Sequence, residues 1–473
     1  MHSVVICASG SRGDCQPYCA LGLGLLRAGM KVAVFTNPEH ETLVTDLGLS
    51  FQSNGIDFKS AFTSDAANRA NQNKDFVAFL DVLGALNQKS LKDAAELMIK
   101  FLNESKPDIC IMGTQHFLDP VWIPHVTSVP CFPLILSRAL CYDPSVAPFG
   151  LPSLPCSLNR PLWYGIFWKY MHDIRVSLGE DFILKHLGKA NMSLFPGPSE
   201  FLDLYGVYPG MSGQFKEFLP VAVAMDDHVV GRRKVDPPWI KFIGNLVLPL
   251  EVAEGESFGG DSIMAMHEFL KRGLAPVYIG WGSVKCGSAK QMTLLALRAL
   301  QVSQCRGIVL GGWAELGLCA IDGEEDEAPL RSFCVQNVLF MKTAPHEQLF
   351  KHCSVIVHHG GIGTTVASLR SGKPTIVTPI LYDQFESAES VSNLGVGFGA
   401  PHLMKITPSM LGNYIKSCLS DTKIQARAAE VGALVSKRNG VVDGVSFTKE
   451  VLCEVESGGY WMKYNEWKSR KMT

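Results

Sequence analysis

The chain lacks any run of roughly 18 apolar residues, the length a helix needs to cross a bilayer, so no membrane span is expected. It lacks an excess of either charge. The 43 Lys+Arg and 45 Asp+Glu leave a formal net charge of −2, which removes the basic footprint of a nucleic-acid binder. None of the 14 cysteines forms a C-x-x-C pair. Cys15 and Cys19 stand four apart without the His/Cys partners of a zinc set. Most of the others lie in apolar runs, such as Cys7 in VVICA, as reduced core cysteines of a cytosolic protein do. The first strand-to-helix loop has no G-x-G-x-x-G, and the second strand ends in Thr36-Asn37 rather than in a ribose-binding acid. Both features argue against a nicotinamide-dependent oxidoreductase. No Asp-x-Asp stands alone on a strand-end loop, and the acidic run Asp322 to Glu327 reads as a solvated surface loop, so no metal is expected. No basic segment followed by a long apolar stretch opens the chain, so a secretory leader is not expected and the compartment is read as cytoplasmic.

What is present is an α/β rhythm in a chain of 473 residues, long enough for two domains. Apolar runs at Val4–Ala8, Lys31–Thr36 and Asp108–Met112 read as strands of a parallel sheet. Ser9–Pro17 reads as a polar loop, Tyr18–Ala28 and Pro38–Leu47 as helices closed by Gly29 and Gly48, and 74–105 and Trp163–Leu187 as helical. Residues 130–160 are Pro-rich and read as loops. The rhythm restarts with strands at 276–281, 307–311 and 337–342. The expected division is an N-terminal domain over 1–235, a linker over 236–262, a second α/β domain over 263–445 and a tail over 446–473. The tail carries Trp461 and Trp467 and is expected to dock back on the first domain. Its basic residues Lys463, Lys468, Arg470 and Lys471 read as a solvated terminus, with weak peripheral contact to an anionic membrane as the alternative.

The densest chemistry lies between Val355 and Asn393. A short strand ends in His358, His359 and a glycine-rich turn, a helix is expected over Thr364–Ser371 with Gly372 as its cap, and the next strand, Thr375–Pro379, leads to Asp383 and Gln384. In an open parallel sheet, ligands sit beyond the carboxyl ends of the strands. Gly360, Gly361 and Gly363 let the backbone approach an anion, the helix start offers free N–H groups, and Thr364, Thr365 and His359 add donors, a set suited to a diphosphate. Asp383 and Gln384 suit sugar hydroxyls. The alternative is a plain glycine turn with a structural acid nearby.

This stretch resembles the donor-binding signature of inverting nucleotide-sugar glycosyltransferases of the GT-B fold, in particular sterol glucosyltransferases and bacterial antibiotic glycosyltransferases. Four segments extend the resemblance: Ser9–Pro17 is similar to the family's first loop, Val277–Ser283 to the opening of its second domain, Ala344–Phe350 to its nucleoside-side motif, and Asn159–Leu187 to a helical stretch of its first domain. The resemblance implies two Rossmann-like parallel-sheet domains facing across a cleft. It also implies a UDP-sugar donor, by default UDP-glucose, a lipophilic or small hydroxylated acceptor, and no cofactor. Donor contacts implied by the matched motifs are Ser11, Arg12, Ser283, Ala344 and His346, beside His359, Gly361, Gly363, Thr364, Asp383 and Gln384.

Inverting transfer needs a base for the acceptor hydroxyl and stabilisation for the leaving diphosphate. The resemblance makes Asp14 the base; read alone, Asp14 caps the following helix. His116, in GTQHFLDP, is the rival base. The chain departs from sterol-modifying relatives where Glu347-Gln348 follows Pro-His and where Phe385-Glu386-Ser387 follows Asp-Gln, and the acceptor region over 60–160 is not matched. Those differences bear on the acceptor more than on the donor. A non-catalytic sugar-nucleotide-binding protein of the same fold is the alternative function.

Overall fold

A computed structural model describes residues 1–137, 156–195, 219–227, 240–252, 260, 262–381 and 383–472. Most of the expected Pro-rich loops and part of the expected linker lie outside the described residues. The chain separates into two compact units, one built from Met1–Lys59, Leu80–Leu248 and Asn439–Thr473, the other from Ser60–Phe79 and Pro249–Arg438. The contacts thus group Ser60–Phe79, from the N-terminal half of the sequence, with the second unit.

The first unit holds seven parallel strands: β1 (Ser3–Cys7), β2 (Lys31–Thr36), β3 (Ser50–Ser53), β4 (Ile109–Met112), β5 (Cys131–Ile135), β6 (Val221–Val223) and β7 (Ile240–Phe242). Their order is β3-β2-β1-β4-β5-β6-β7. β4 and β5 are buried at every residue and β1 at all but its first, as sheets covered by helices on both faces require. The helices are α1 (Arg12–Arg27), α2 (Glu41–Asp46), α6 (Asp119–Thr127), α7 (Cys156–Leu178) and α8 (Glu180–Leu187), with α3 (Phe58–Phe62) and α5 (Phe76–Ser105) at the points where the chain changes unit. One core face packs Met98, Ile99 and Leu102 of α5 with Trp122 of α6 and Phe182 of α8 over β1, β4 and β5.

α1 begins six residues before the expected Tyr18, so Arg12, Asp14 and Pro17 are helical rather than in a loop. The Ser11 N–H and hydroxyl both donate to Asp14 Oδ2, at 2.7 and 2.8 Å, which fixes the start. Pro17 gives up one helical hydrogen bond without ending the helix.

The tail belongs to the first unit. It forms α17 (Gly440–Glu456) and α18 (Gly459–Met472). Gly24 of α1 faces Val441 so closely that an added Cβ would lie 2.4 Å from the valine side chain. The Tyr460 hydroxyl donates to the Cys131 carbonyl and accepts from the Cys131 N–H, both at 2.9 Å, and the Tyr464 hydroxyl donates to Val121 O at 3.0 Å. Trp467 is buried beside Tyr464, while Trp461 stacks edge-on to Tyr460.

The second unit holds six parallel strands: β8 (Val277–Gly280), β9 (Gly307–Leu310), β10 (Val338–Met341), β11 (Val355–His358), β12 (Thr375–Val377) and β13 (Gly397–Gly399), in the order β10-β9-β8-β11-β12-β13. Its helices are α4 (Asp65–Asn73), α9 (Ser262–Lys271), α10 (Ala289–Ser303), α11 (Glu327–Asn337), α12 (His346–Leu349), α13 (Ile362–Arg370), α14 (Gln384–Leu394), α15 (Pro408–Ser420) and α16 (Thr422–Val435). Ser288 and Gln291 close a capping box that starts α10, and Asp421 caps α16. The acidic run is tied down rather than merely solvated: Glu324 and Asp326 both pair with Arg298, and Asp322 pairs with Arg331.

Both sheets reverse strand order once, between β1 and β4 and between β8 and β11. Such switch points open a crevice at the carboxyl ends of the strands.

Candidate functional site

At the second switch point, Gly282 follows β8 and His359 follows β11. Gly282 has φ +62°, and a Cβ there would lie 2.9 Å from His359 Cε1. Gly360, at φ +99°, lets the chain turn against Gln384, and a Cβ on Gly361 would sit 2.5 Å from His359 Nε2. Neither contact tolerates a side chain. α13 starts at Ile362 with Gly361 as its N-cap, two residues ahead of the expected start, because the Thr365 N–H and hydroxyl both donate to Gly361 O. Gly363 and Thr364 therefore lie in the first turn, whose N–H groups have no intrahelical acceptor and project beyond the strand ends. Gly361 offers no side-chain cap to satisfy them.

His359 is buried, and its Nδ1 has no hydrogen-bond partner. Burial holds its pKa down at about 4, so at neutral pH it offers a hydrogen bond without charge. His358 is fully buried; its Nδ1 accepts from the Gly360 N–H at 3.0 Å, which shapes the turn, and burial pushes its pKa well down. A helix start of this kind can attract an anion through its dipole and aligned N–H groups without a cationic side chain.

The flanking groups divide into those facing a ligand and those building the site. Ser283 is half-buried on the loop after Gly282. Ala344 is buried on the loop after β10. His346 opens α12, with Nε2 2.9 Å from the Tyr278 hydroxyl and its ring stacked on Phe350 at 4.8 Å. Burial pushes the Tyr278 pKa up, so its hydroxyl stays protonated beside His346. Glu347 pairs with Arg370 of α13 at 3.3 Å. Asp383 takes the N-cap position of α14. The Gln384 side-chain oxygen accepts from the Ile380 and Leu381 N–H groups at 2.9 and 3.1 Å, which fixes the amide's orientation.

In the first unit, Asp14 sits in the first turn of α1, and burial raises its pKa. Arg12 donates to Gln16 at 2.8 Å, and burial lowers its pKa to about 10, which leaves it charged. The first switch point carries a chain of hydrogen bonds that the sequence reading did not assemble. Asn54 donates to Ser9 Oγ at 2.9 Å, Ser9 meets His116 Nε2 at 2.9 Å, His116 Nδ1 meets Asp119 at 2.9 Å, and Trp122 donates to the other Asp119 oxygen at 3.0 Å. With Asp119 on Nδ1, the ring presents Nε2 as acceptor and the Ser9 hydroxyl donates to it. The H-x-x-D spacing on a strand-end loop was the available signal. Among the described residues no group of three His, Cys, Asp or Glu is arranged to hold a metal ion, and no helix is long and apolar enough to cross a membrane.

Comparison with known proteins places these features in context. Residues 319–437 match the family model "Erythromycin biosynthesis protein CIII-like, C-terminal domain". The chain is 28% identical over 463 residues to a sterol 3-beta-glucosyltransferase of Komagataella phaffii, an overlap covering 93% of this chain and 34% of that protein. It is 26% identical over 463 residues to a sterol 3-beta-glucosyltransferase of Arabidopsis thaliana, covering 93% of this chain and 67% of the relative. The chain spans about a third of the length of the first fungal relatives it matches. Among solved structures it is similar to the Streptomyces sp. SF2575 glycosyltransferase SsfS6, solved with thymidine diphosphate, with a TM-score of 0.56 at 16% identity over 95% of this chain and 100% of that one. The chain is thus similar over most of its length to sterol 3-beta-glucosyltransferases, and its fold is that of the GT-B glycosyltransferases.

Proposed function

We propose that this chain, similar to the sterol 3-beta-glucosyltransferases, moves a hexose, glucose from UDP-glucose, onto the hydroxyl of a sterol or another lipophilic acceptor, with inversion and without a metal. The observation that carries the proposal is the open first turn of α13 behind a side-chain-free glycine turn, next to the uncharged and unpartnered His359. A diphosphate fits that chemistry: the first-turn N–H groups, Thr364 and His359 offset charge as it develops on the leaving group. Asp383 and the Gln384 amide hydrogen-bond the sugar hydroxyls. The Ala344–His346 loop and Ser283 flank the nucleotide, with Ser11 and Arg12 of the first unit as further donors. Asp14 takes the acceptor proton. Burial raises its pKa, which makes it a stronger base than an ordinary aspartate. In this reading the protein acts in the cytoplasm on an acceptor drawn from a membrane surface.

A second assignment of the base, to His116, is favoured by its bonds to Ser9 and Asp119, which orient the ring and stabilise an imidazolium. Incubation with UDP-glucose and a panel of sterols and phenols, read by mass spectrometry, tests the function. Glucoside and free UDP are expected together. UDP bound without any transfer across the panel would leave a binding protein instead. Asp14→Asn should lower the rate about 10²–10⁴-fold with UDP affinity intact; a fully active Asp14→Asn enzyme and an inactive His116→Gln enzyme would move the base to His116.

A further inference from the structure

Helix α4 comes from the N-terminal half of the sequence yet lies within the second unit, where it touches loops on both flanks of the diphosphate turn. On one flank, Asn68 closes a two-point clamp on Gly287: the Gly287 N–H donates to Asn68 Oδ1 at 2.8 Å, and Asn68 Nδ2 donates to Gly287 O at 3.2 Å. Asn71 Nδ2 donates to Lys285 O at 2.9 Å. These residues continue the loop that carries Gly282 and Ser283. On the other flank, His402 Nε2 donates to Asn71 O at 2.9 Å, and the Lys74 ammonium lies 3.9 Å from the ring centre of Phe385, which stacks on His402. Phe385 follows Asp383 and Gln384 directly. In the sheet, β11 stands between β8 and β12, so α4 joins the loops on either side of the His359 turn.

Two observations separate these bonds from ordinary packing. Residues 285 and 287–291 border a cavity of about 580 Å³ that α4 shares with Trp313 and Glu315, so packing alone does not hold this part of the loop. The second is a penalty: Asn71 is 3% exposed, and its Oδ1 has no partner. An orphaned buried acceptor is destabilising, because it has given up its water without gaining a partner. The helix keeps this geometry despite that penalty, with the bond to Lys285 intact. Gly287 also has φ +91°, a conformation open to glycine but one among several it can adopt, so the Asn68 bonds select it.

We infer that Asn68 and Asn71 of α4 are positioning residues that hold the Ser283 loop in its nucleotide-binding conformation, so that α4 forms part of the donor site although it is coded in the acceptor half. The inference rests on the reading of the second unit as a nucleotide-diphosphate site. Linkage then requires UDP to steady α4 in return.

UDP titration by calorimetry and hydrogen exchange on the whole chain test both points. Wild-type protein should bind UDP, and UDP should slow amide exchange in residues 65–73. Asn68→Ala should weaken UDP binding at least ten-fold and raise KM for the donor more than it lowers kcat, leaving KM for the acceptor unchanged. Asn68→Asp, which keeps the acceptor for the Gly287 N–H but loses the donor to Gly287 O, should fall between. UDP affinity within two-fold of wild type in a folded Asn68→Ala protein, or UDP binding without any change in exchange over 65–73, overturns the inference while leaving the proposed function standing. A wild-type protein that binds neither UDP nor TDP overturns both. Should Asn68→Ala fail to fold, the exchange arm on wild type and the Asn68→Asp titration decide the question.

Discussion

The two switch points share a strand order and differ in what their polar groups are doing. At the first, Ser9, Asn54, His116, Asp119 and Trp122 bond to one another, the Gly10 N–H donates to Asn37, and Gly10 O accepts from His40. At the second, His359 Nδ1 and His358 Nε2 are buried without partners, and the start of α13 has no cap. Buried polar groups are almost always satisfied, so the second crevice keeps a debt that an incoming ligand can settle. The first keeps its groups for holding loops, and its free chemistry narrows to the Asp14 carboxylate and the hydroxyl–imidazole pair. Equal topology thus yields one crevice whose polar groups bond to one another and one that leaves buried groups unpaired, as the proposed gripping site requires.

The largest effect should come from filling the gripping crevice. Gly361→Ala would place a methyl 2.5 Å from His359 Nε2, and UDP affinity should fall about 100-fold or more, roughly 2.7 kcal/mol, by calorimetry. The matched change at the other switch point, Gly10→Ala, would push against Asp14 Oδ2 at 2.6 Å; it should reduce transfer and spare UDP affinity. If both changes weaken UDP binding alike, the contrast fails.

Next in size is a pH effect on stability. His359 titrates at about 4 when folded and near 6.5 when unfolded. The unfolded chain therefore binds more protons below pH 6.5, and stability falls as pH drops from there toward 4. Between pH 7 and pH 5 this one group should remove about 2 kcal/mol, seen as a lower urea midpoint for the second unit, and His359→Asn should flatten the dependence. UDP-glucose affinity, whose diphosphate carries no proton titrating in this range, should show no inflection between pH 6 and 8, because the histidine is uncharged throughout; a step there would make it a cationic phosphate ligand. The smallest effect belongs to the satisfied crevice. Ser9→Ala strands Asn54 and His116 and should cost about 1 kcal/mol by denaturation without changing UDP affinity.

Much of this was legible in the sequence, for identifiable reasons. Fully buried strands such as β4 and β11 announce themselves as apolar runs, and the glycine turn and Asp383-Gln384 loop follow from strand-to-helix punctuation. Short strands were missed: β3, β6 and β13 are three or four residues long and too brief for a period to register. The start of α1 was missed because Pro17 looked like loop chemistry, whereas the Ser11–Asp14 bonds override it. The place of α4 had no local signal at all: the helical reading began only at residue 74, and the sheet this helix serves depends on amide bonds to residues more than two hundred positions away.

The first unit is not a continuous stretch of chain, since Tyr460 and Tyr464 fasten Cys131 and Val121 from the far end of the sequence. During synthesis, β5 and α6 must therefore wait, with those backbone groups exposed, until the whole second unit has left the ribosome. Nascent chains halted before residue 439 should recruit chaperones that the full-length product no longer needs.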